Sequence, residues 1–390
     1  MSIEGRSDAT GGRIRLGMVG GGQGAFIGAV HRLAARMDDH YSFVAGALSS
    51  DPARARASGK ELGLAADRVY ADFREMAKAE SKRRDGIQAV SIVTPNHMHF
   101  PAAKAFIEAG IHVICDKPLA LNLKEALALE KLLAKHKDVV FALTHNYSGY
   151  PMIRQAKAMV AAGELGPTRL VHGEYPQDWL TNPIEKQGQK QAVWRTDPKR
   201  SGAGGCIGDI GTHTYQLACF VSGLACDELS ADLSSFVKGR RLDDNAHIML
   251  RFKGGAKGMI WASQVAPGHE NGLKIRVYGT KGGLEWVQAD PNYLWYTPYG
   301  EPRRLITRGG AGSNSAAGRV TRVPPGHPEG YLEGFANIYT EAARAIKAKL
   351  AGKKPDKAVE FPGIADGVAG MAFVEACVKS SAKNSRWTKV

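Results

Sequence analysis

The sequence predicts an α/β chain that opens with a doubly wound parallel sheet and continues into a second α/β domain. Two observations carry the first part. Apolar strand-like runs alternate with helical segments across short loops, and Gly20, Gly21, Gly22 and Gly24 crowd the first strand-to-helix turn. A third observation carries the second part. After Tyr147 several strand-like runs alternate apolar and polar residues, as in a sheet with one open face.

RIRLGMVGGG (13–22) is a short apolar run ending in glycines, and GAFIGAVHRLAARM (24–37) follows with helical spacing. YSFVAGALSS (41–50) is the second strand. DPARARASGKELGL (51–64) reads as a helix with Ser50 or Asp51 at its N-cap and Pro52 at its first position. RVYAD (68–72) is a short strand and GIQAVSIVTP (86–95) a buried one. HFPAAKAFIEAG (99–110) is a helix that stops at Gly110, and IHVICDKPL (111–119) is the next strand. KEALALEKLLAKHK (124–137) is strongly amphipathic, and VVFALTHNY (139–147) is a sixth strand. Parallel strands joined this way take right-handed crossovers.

Downstream, 148–166 reads as a helix and 167–180 as a strand. Further strands are expected at 228–237, 244–252, 257–266, 273–287 and 292–298. The stretch 308–330 is the longest irregular one, which suits a lid or a subunit contact. Helices at 331–352 and 363–384 close the chain. The expected division is a flexible N-terminus (1–12), a first domain (13–147) and a second (148–390), with no internal repeat.

Composition narrows the function. Of 390 residues, 44% are hydrophobic and 23% charged, which gives a globular chain long enough for two sizeable cores. No apolar run reaches the ~18 residues a membrane span needs. The first residues, MSIEGRSDATGGR, lack the apolar core of a secretion signal, so a cytoplasmic protein is expected. Cys115, Cys206, Cys219, Cys226 and Cys377 form no CxxC pair, which fits reduced thiols better than a disulfide framework or a zinc site. The formal charge of +14 is scattered, with short clusters at 81–84 and 239–241, and favours a small anionic ligand over nucleic acid.

The glycine turn gives that ligand a form. GGGQGA fits G-x-G-x-x-A from Gly20 through Gly22, Gln23 and Gly24 to Ala25, between a strand and a helix. Glycines let the turn close and let a pyrophosphate reach the helix N-terminus, where N–H groups and the dipole favour anions. Either Ala25 or Gly28 takes the third fingerprint position. An NAD ribose held through both hydroxyls needs an acidic residue at the end of the second strand. Here that strand ends in Ser49 and Ser50, with Arg54 and Arg56 beyond, a set that favours a 2′-phosphate and so NADP. Asp51 is left to serve the ribose or to cap the helix.

Four motifs in order now resemble the Gfo/Idh/MocA family of sugar and cyclitol oxidoreductases. They are the glycine turn, TPNHMH (94–99), CDKPL (115–119) and SGAGGCIGDIGTH (201–213). The resemblance runs from about residue 13 to the C-terminal helix, with Asp116 where the family carries glutamate. It implies a Rossmann domain and a second α/β domain with a large open, mostly antiparallel sheet. That sheet often serves oligomerisation in the family, so a homo-oligomer (dimer or tetramer) is expected. It implies that Thr94, Pro95 and Asn96 line the nicotinamide ribose, that His99 and Asp116 serve the cofactor, and that Lys117 contacts cofactor and substrate. Arg195, of the Trp194–Arg195 pair, is implied near the substrate.

The residues themselves point the same way. Lys117 ends a parallel strand, the edge where ligands bind, and Pro118 biases it toward an extended conformation. A lysine there either stabilises a hydroxyl as it becomes a carbonyl or merely caps a strand end. Hydride transfer from a secondary alcohol requires loss of the hydroxyl proton, and His213 is the base that histidine chemistry suggests. Asp209, four residues earlier, orients that base, binds a neighbouring hydroxyl or caps the helix. A metal site needs three or four ligands, and no third histidine or cysteine falls at a fitting spacing; Cys206 reads as packing. The expectation is an NAD(P)-dependent dehydrogenase acting on a sugar or cyclitol, with no metal. Its rivals are a redox-neutral NAD-using glycosidase of the same fold and a dinucleotide-binding regulator.

Overall fold

The computed structural model describes residues 12–390, so the expected flexible segment 1–12 lies outside the described residues apart from Gly12. The chain forms two compact units. The first holds the chain up to Asn146 together with Tyr331–Val368, and the second holds Tyr147–Gly330 with Ala369–Val390.

The first unit is built on five parallel strands: β1 (Ile14–Gly20), β2 (Tyr41–Ala47), β3 (Ala89–Val93), β4 (His112–Cys115) and β5 (Phe141–Leu143). Their order is β2-β1-β3-β4-β5. The chain reverses direction across the sheet between β2 and β3, which leaves a crevice beside the carboxyl end of β1. Helices α1 (Phe26–Met37), α2 (Pro52–Glu61), α3 (Phe73–Glu80), α4 (His99–Glu108) and α5 (Leu123–Leu133) make the connections. The strand expected at 68–72 is reduced to one bridge between Val69 and Gly46. Its neighbour Arg68 turns inward to pair with Glu80 at 2.6 Å, and Asp72 caps α3, so side-chain bonds replace a ladder there. The sheet therefore has five strands rather than six.

The second unit begins with α6 (Pro151–Ala161), β6 (Thr168–Pro176), α7 (Lys190–Arg195) and α8 (Pro198–Ser201). A π-helical turn at Ile207–Gly211 then leads into α9 (Thr212–Ser222). Strands β7 (Cys226–Ser234), β8 (Asn245–Phe252), β9 (Lys257–Ser263), β10 (Lys274–Gly279), β11 (Gly282–Val287), β12 (Tyr293–Pro298) and β13 (Arg304–Thr307) follow, then α10 (Ser315–Arg319). With the short last strand β14 (Thr388–Lys389) they form a nine-stranded sheet, β13-β12-β11-β10-β6-β9-β8-β7-β14. Only the β6–β9 pair is parallel. Alternation decides the faces: Val171, Ile260, Ile275, Leu284 and Trp286 join the core, while Leu170, Met249, Met259 and Tyr278 stay exposed. The single strand expected at 273–287 is a hairpin turning at Thr280–Lys281, just past Gly279, where a Cβ would fall 2.1 Å from the Leu165 carbonyl oxygen.

The irregular 308–330 stretch is tied down within this unit. Arg308 and Glu329, both side chains 2% exposed, pair at 3.1 Å. Arg308 also donates to the carbonyls of Val323 and Pro324, and Glu329 accepts from the Arg322 and Val323 amides.

Helix α11 (Tyr331–Leu350) corrects the expected 148–390 boundary by returning to the first unit. Its Phe335, Tyr339, Ala342 and Ile346 share a core with Val30, Ala34 and Tyr41. Alanines on both α1 and α11 let the two helices approach closely. Helix α12 (Ile364–Ser381) ends in the second unit, where Phe373, Val374 and Cys377 enter the core.

Candidate active site

In the first unit, the expected cofactor residues gather at the carboxyl edge of the parallel sheet. Gly20, Gly21 and Gly24 have φ of +79°, +73° and +74°, values that favour glycine. A Cβ on Gly22 would fall 2.7 Å from the Leu48 carbonyl oxygen. A Cβ on Gly28 would fall 2.3 Å from Gly21 Cα, so Gly28 rather than Ala25 makes the close helix-to-turn contact. Ala25 is instead the N-cap of α1, which has no side-chain cap and no acidic residue in its first turn. Such a helix start, with a cradle that any Cβ would fill, fits a dinucleotide pyrophosphate. Gln23 ties the turn to α2: its amide donates to Ser58 Oγ at 3.0 Å and its side chain to Glu61 at 2.9 Å.

Beyond β2, Asp51 resolves to the N-cap of α2. Its Oδ1 accepts from the Arg54 amide at 2.8 Å, a bond that holds the carboxyl below its usual range. Ser49 Oγ accepts from the Asp51 amide at 3.1 Å, and Ser50 and Arg54 are exposed on the same turn.

Thr94, Pro95 and Asn96 follow β3, and Thr94 Oγ1 is buried without a hydrogen-bond partner. His99 opens α4 and is 1% exposed. Its Nδ1 lies 2.6 Å from the Pro118 carbonyl oxygen and its Nε2 2.8 Å from that of Thr94. After β4, Asp116 Oδ1 accepts from the Lys117 amide at 2.9 Å and from Thr144 Oγ1 at 3.1 Å. Behind this carboxylate, Nε2 of His31 lies 4.0 Å away, while His31 Nδ1 meets the Tyr339 hydroxyl at 2.8 Å. Burial lowers the His31 pKa to about 4, so the ring is neutral. Sequence reading missed His145, just past β5. Its pKa is pushed down to about 3 by burial first and by the charge of Lys117 second. Its signal was a polar pair, His145-Asn146, at the end of a buried strand.

In the second unit, Asp209 lies in the π-helical turn, a feature that often marks a functional site. Its Oδ2 accepts from Arg195 Nε at 3.0 Å and from Gln264 Nε2 at 2.9 Å. The capping reading of Asp209 falls, since α9 starts without a side-chain cap bond. Arg195 is held in turn. Its guanidinium lies 4.1 Å from the Trp194 ring centre and bonds Gln191 Oε1 at 2.6 Å. His213 is 8% exposed, with its ring edge-on to Tyr147 at 4.9 Å. The Tyr147 hydroxyl meets that of Tyr175 at 2.6 Å, and Tyr175 donates to Asn271 Oδ1 at 2.8 Å. Gln177 donates to the same oxygen at 2.8 Å, and Trp179 donates to Gln177 at 3.1 Å. Tyr175, Gln177 and Trp179 keep the two-residue spacing of β6 past its end, the one trace they left in the sequence.

The glycine loop ahead of Asp209 is fixed by Asp243, which accepts from the Gly205 and Ile207 amides at 2.6 and 2.8 Å. Cys206, read as packing, is buried and donates to the same carboxylate at 3.0 Å. An imidazole, a carboxylate, a guanidinium and several amide and hydroxyl groups thus share one aromatic-lined region. Such a set can bind a polyhydroxylated ring and take a proton from it.

Comparison with known proteins accords with both units. A model described as "Oxidoreductase family, NAD-binding Rossmann fold" matches residues 14–156, and one described as "GFO/IDH/MocA C-terminal domain" matches 153–285. An oxidoreductase structure from Sinorhizobium meliloti is 61% identical, with TM-score 0.88, covering 97% of this chain and 100% of that one. An inositol dehydrogenase homologue from Azotobacter vinelandii, solved with NADH and myo-inositol, is 38% identical with TM-score 0.91, covering 98% and 99%. The Bacillus subtilis oxidoreductase YfiI, described as uncharacterized, is 35% identical over 383 residues, 96% of each chain.

Proposed function

Because the chain belongs to the Gfo/Idh/MocA oxidoreductases and is an NAD-binding enzyme of the sugar and inositol dehydrogenase type, we propose that it oxidises one secondary hydroxyl of a cyclitol. The observation that carries this reading is the Asp209–His213 region. Its carboxylate is anchored by Arg195 and Gln264, and its base sits against Tyr147. The likeness to an inositol dehydrogenase homologue across nearly the whole chain supports a cyclitol over an open-chain polyol.

Bound nicotinamide supplies the hydride acceptor. Gly20, Gly22 and Gly24 admit the pyrophosphate to α1, and Thr94, Pro95 and Asn96 line the ribose. His213 takes the hydroxyl proton on a ring nitrogen, and Asp209 receives a neighbouring hydroxyl. Lys117 donates to the reacting oxygen as it becomes a carbonyl. Asp116 holds the Lys117 main chain.

The test is a panel of inositols, pyranoses and open-chain polyols, followed at the nicotinamide absorbance band. Reduction of the dinucleotide with at least one cyclitol is expected. Turnover confined to pyranoses or open-chain polyols, or none with any cyclitol, sinks the proposal.

The cofactor form is a separate prediction. The turn Ser49–Ser50–Arg54 presents two hydroxyls and a guanidinium, and Asp51 has committed one oxygen to the helix cap. NADP is therefore expected to bind about 10-fold more tightly than NAD, the size of one charge-assisted hydrogen bond. Arg54→Ala should abolish the difference in a fluorescence titration. An NAD preference, matching the NADH held by the Azotobacter relative, overturns this.

A further inference from the structure

We propose that His99 is a positioning residue: a doubly protonated ring that braces the exits of β3 and β4 and fixes the main chain carrying Lys117. The part that concerns Lys117 rests on the functional reading above; the protonation state does not.

The argument is one of donors and acceptors. Both ring nitrogens of His99 lie at hydrogen-bond distance from main-chain carbonyl oxygens, 2.6 Å to Pro118 and 2.8 Å to Thr94. A carbonyl oxygen only accepts, and a neutral imidazole has one N–H to give. A neutral ring would set a bare nitrogen lone pair against a carbonyl oxygen at one end. At 1% exposure, water is a poor substitute partner there. The imidazolium satisfies both ends, with two charge-assisted bonds. His31, whose charge would oppose it, is held neutral by burial.

What the ring ties together gives the brace its purpose. Thr94 opens the loop after β3, and Pro118 follows Lys117 after β4; the two strands are paired neighbours. The Lys117 amide is held on its other side by Asp116 at 2.9 Å. The Lys117 main chain is therefore fixed from both flanks, from Asp116 before it and through His99 after it. A misplacement of about 1 Å at a catalytic group costs on the order of 100-fold in rate, so such a brace is worth its buried charge. Its nitrogens, both engaged with the protein's own main chain, leave none for the cofactor contact that sequence resemblance implied.

Two measurements test this. In the full chain labelled with ¹⁵N-histidine, at neutral pH, one histidine should show both ring nitrogens protonated and two slowly exchanging N–H protons. That signal should vanish in His99→Gln. Only singly protonated buried rings would overturn the proposal, whether or not His99→Gln folds. In steady-state kinetics, His99→Gln sets an amide oxygen against one carbonyl. It should lower kcat about 30- to 100-fold while the KM for the dinucleotide moves less than about 3-fold. An unchanged kcat, or a loss of dinucleotide affinity as large as the loss of kcat, would overturn the positioning role. Failure of the unmodified protein to oxidise any cyclitol would sink the functional reading and leave the resonance test intact.

Discussion

Replacing His213 by asparagine should lower kcat/KM by about 10³-fold and leave dinucleotide binding unchanged. The size follows from the job. A positioned general base contributes on the order of 10² to 10⁴. Asparagine keeps a polar side chain of similar reach but cannot take up a proton. Binding of the dinucleotide is expected to be spared because its proposed contacts, the glycine turn and Thr94–Asn96, belong to the first unit, whereas His213 belongs to the second. The pH profile gives a second readout. A base must be unprotonated to act, so the wild-type rate should fall as pH drops and His213 gains its proton. His213→Asn should lose that acidic limb along with the rate. A loss smaller than about 10-fold, or an acidic limb that survives, would remove His213 as the base.

The candidate residues that stand together in sequence were legible, and those that only the fold brings together were not. Glycines before a helix, a lysine before proline at a strand end and an Asp–His pair on one helix start each announce themselves locally. Gly28 did not need a choice against Ala25 once Gly21 lay 2.3 Å from its missing Cβ. Asn271, by contrast, sits in a loop with no pattern of its own, yet it receives bonds from Tyr175 and Gln177, more than 90 residues away. Helix α11 was correctly read as a helix and misplaced as to domain. Its apolar stripe states that it must pack, and only tertiary contact with α1 states against what. The π-helical turn under Asp209 was equally invisible, since an inserted residue in a helix changes no residue type. The strand expected at 68–72 shows the opposite hazard: its apolar and aromatic residues suited a strand, and the Arg68–Glu80 pair took the backbone elsewhere.

Lys117→Met should lower kcat by about 10²- to 10³-fold, because it deletes the one cation that the proposed mechanism sets against the developing oxygen charge. Removing a single preorganised donor to such a charge costs about 2.7–4 kcal/mol. Methionine preserves the apolar length of the side chain, so the main chain held by Asp116 should stay in place. Lys117→Arg should fail to restore the rate, since a planar guanidinium cannot occupy the position of a compact ammonium. An independent reporter stands beside it. His145 is neutral mainly because it is buried and secondarily because of the Lys117 charge. Deleting that charge should therefore raise the His145 pKa from about 3, and burial should still keep it below the ordinary 6.5. A histidine titration followed by resonance in Lys117→Met reads this directly. A lost rate with an unmoved His145 would place the ammonium away from the end of β5. A moved His145 with full activity would leave Lys117 at the sheet edge but strip it of its part in the chemistry.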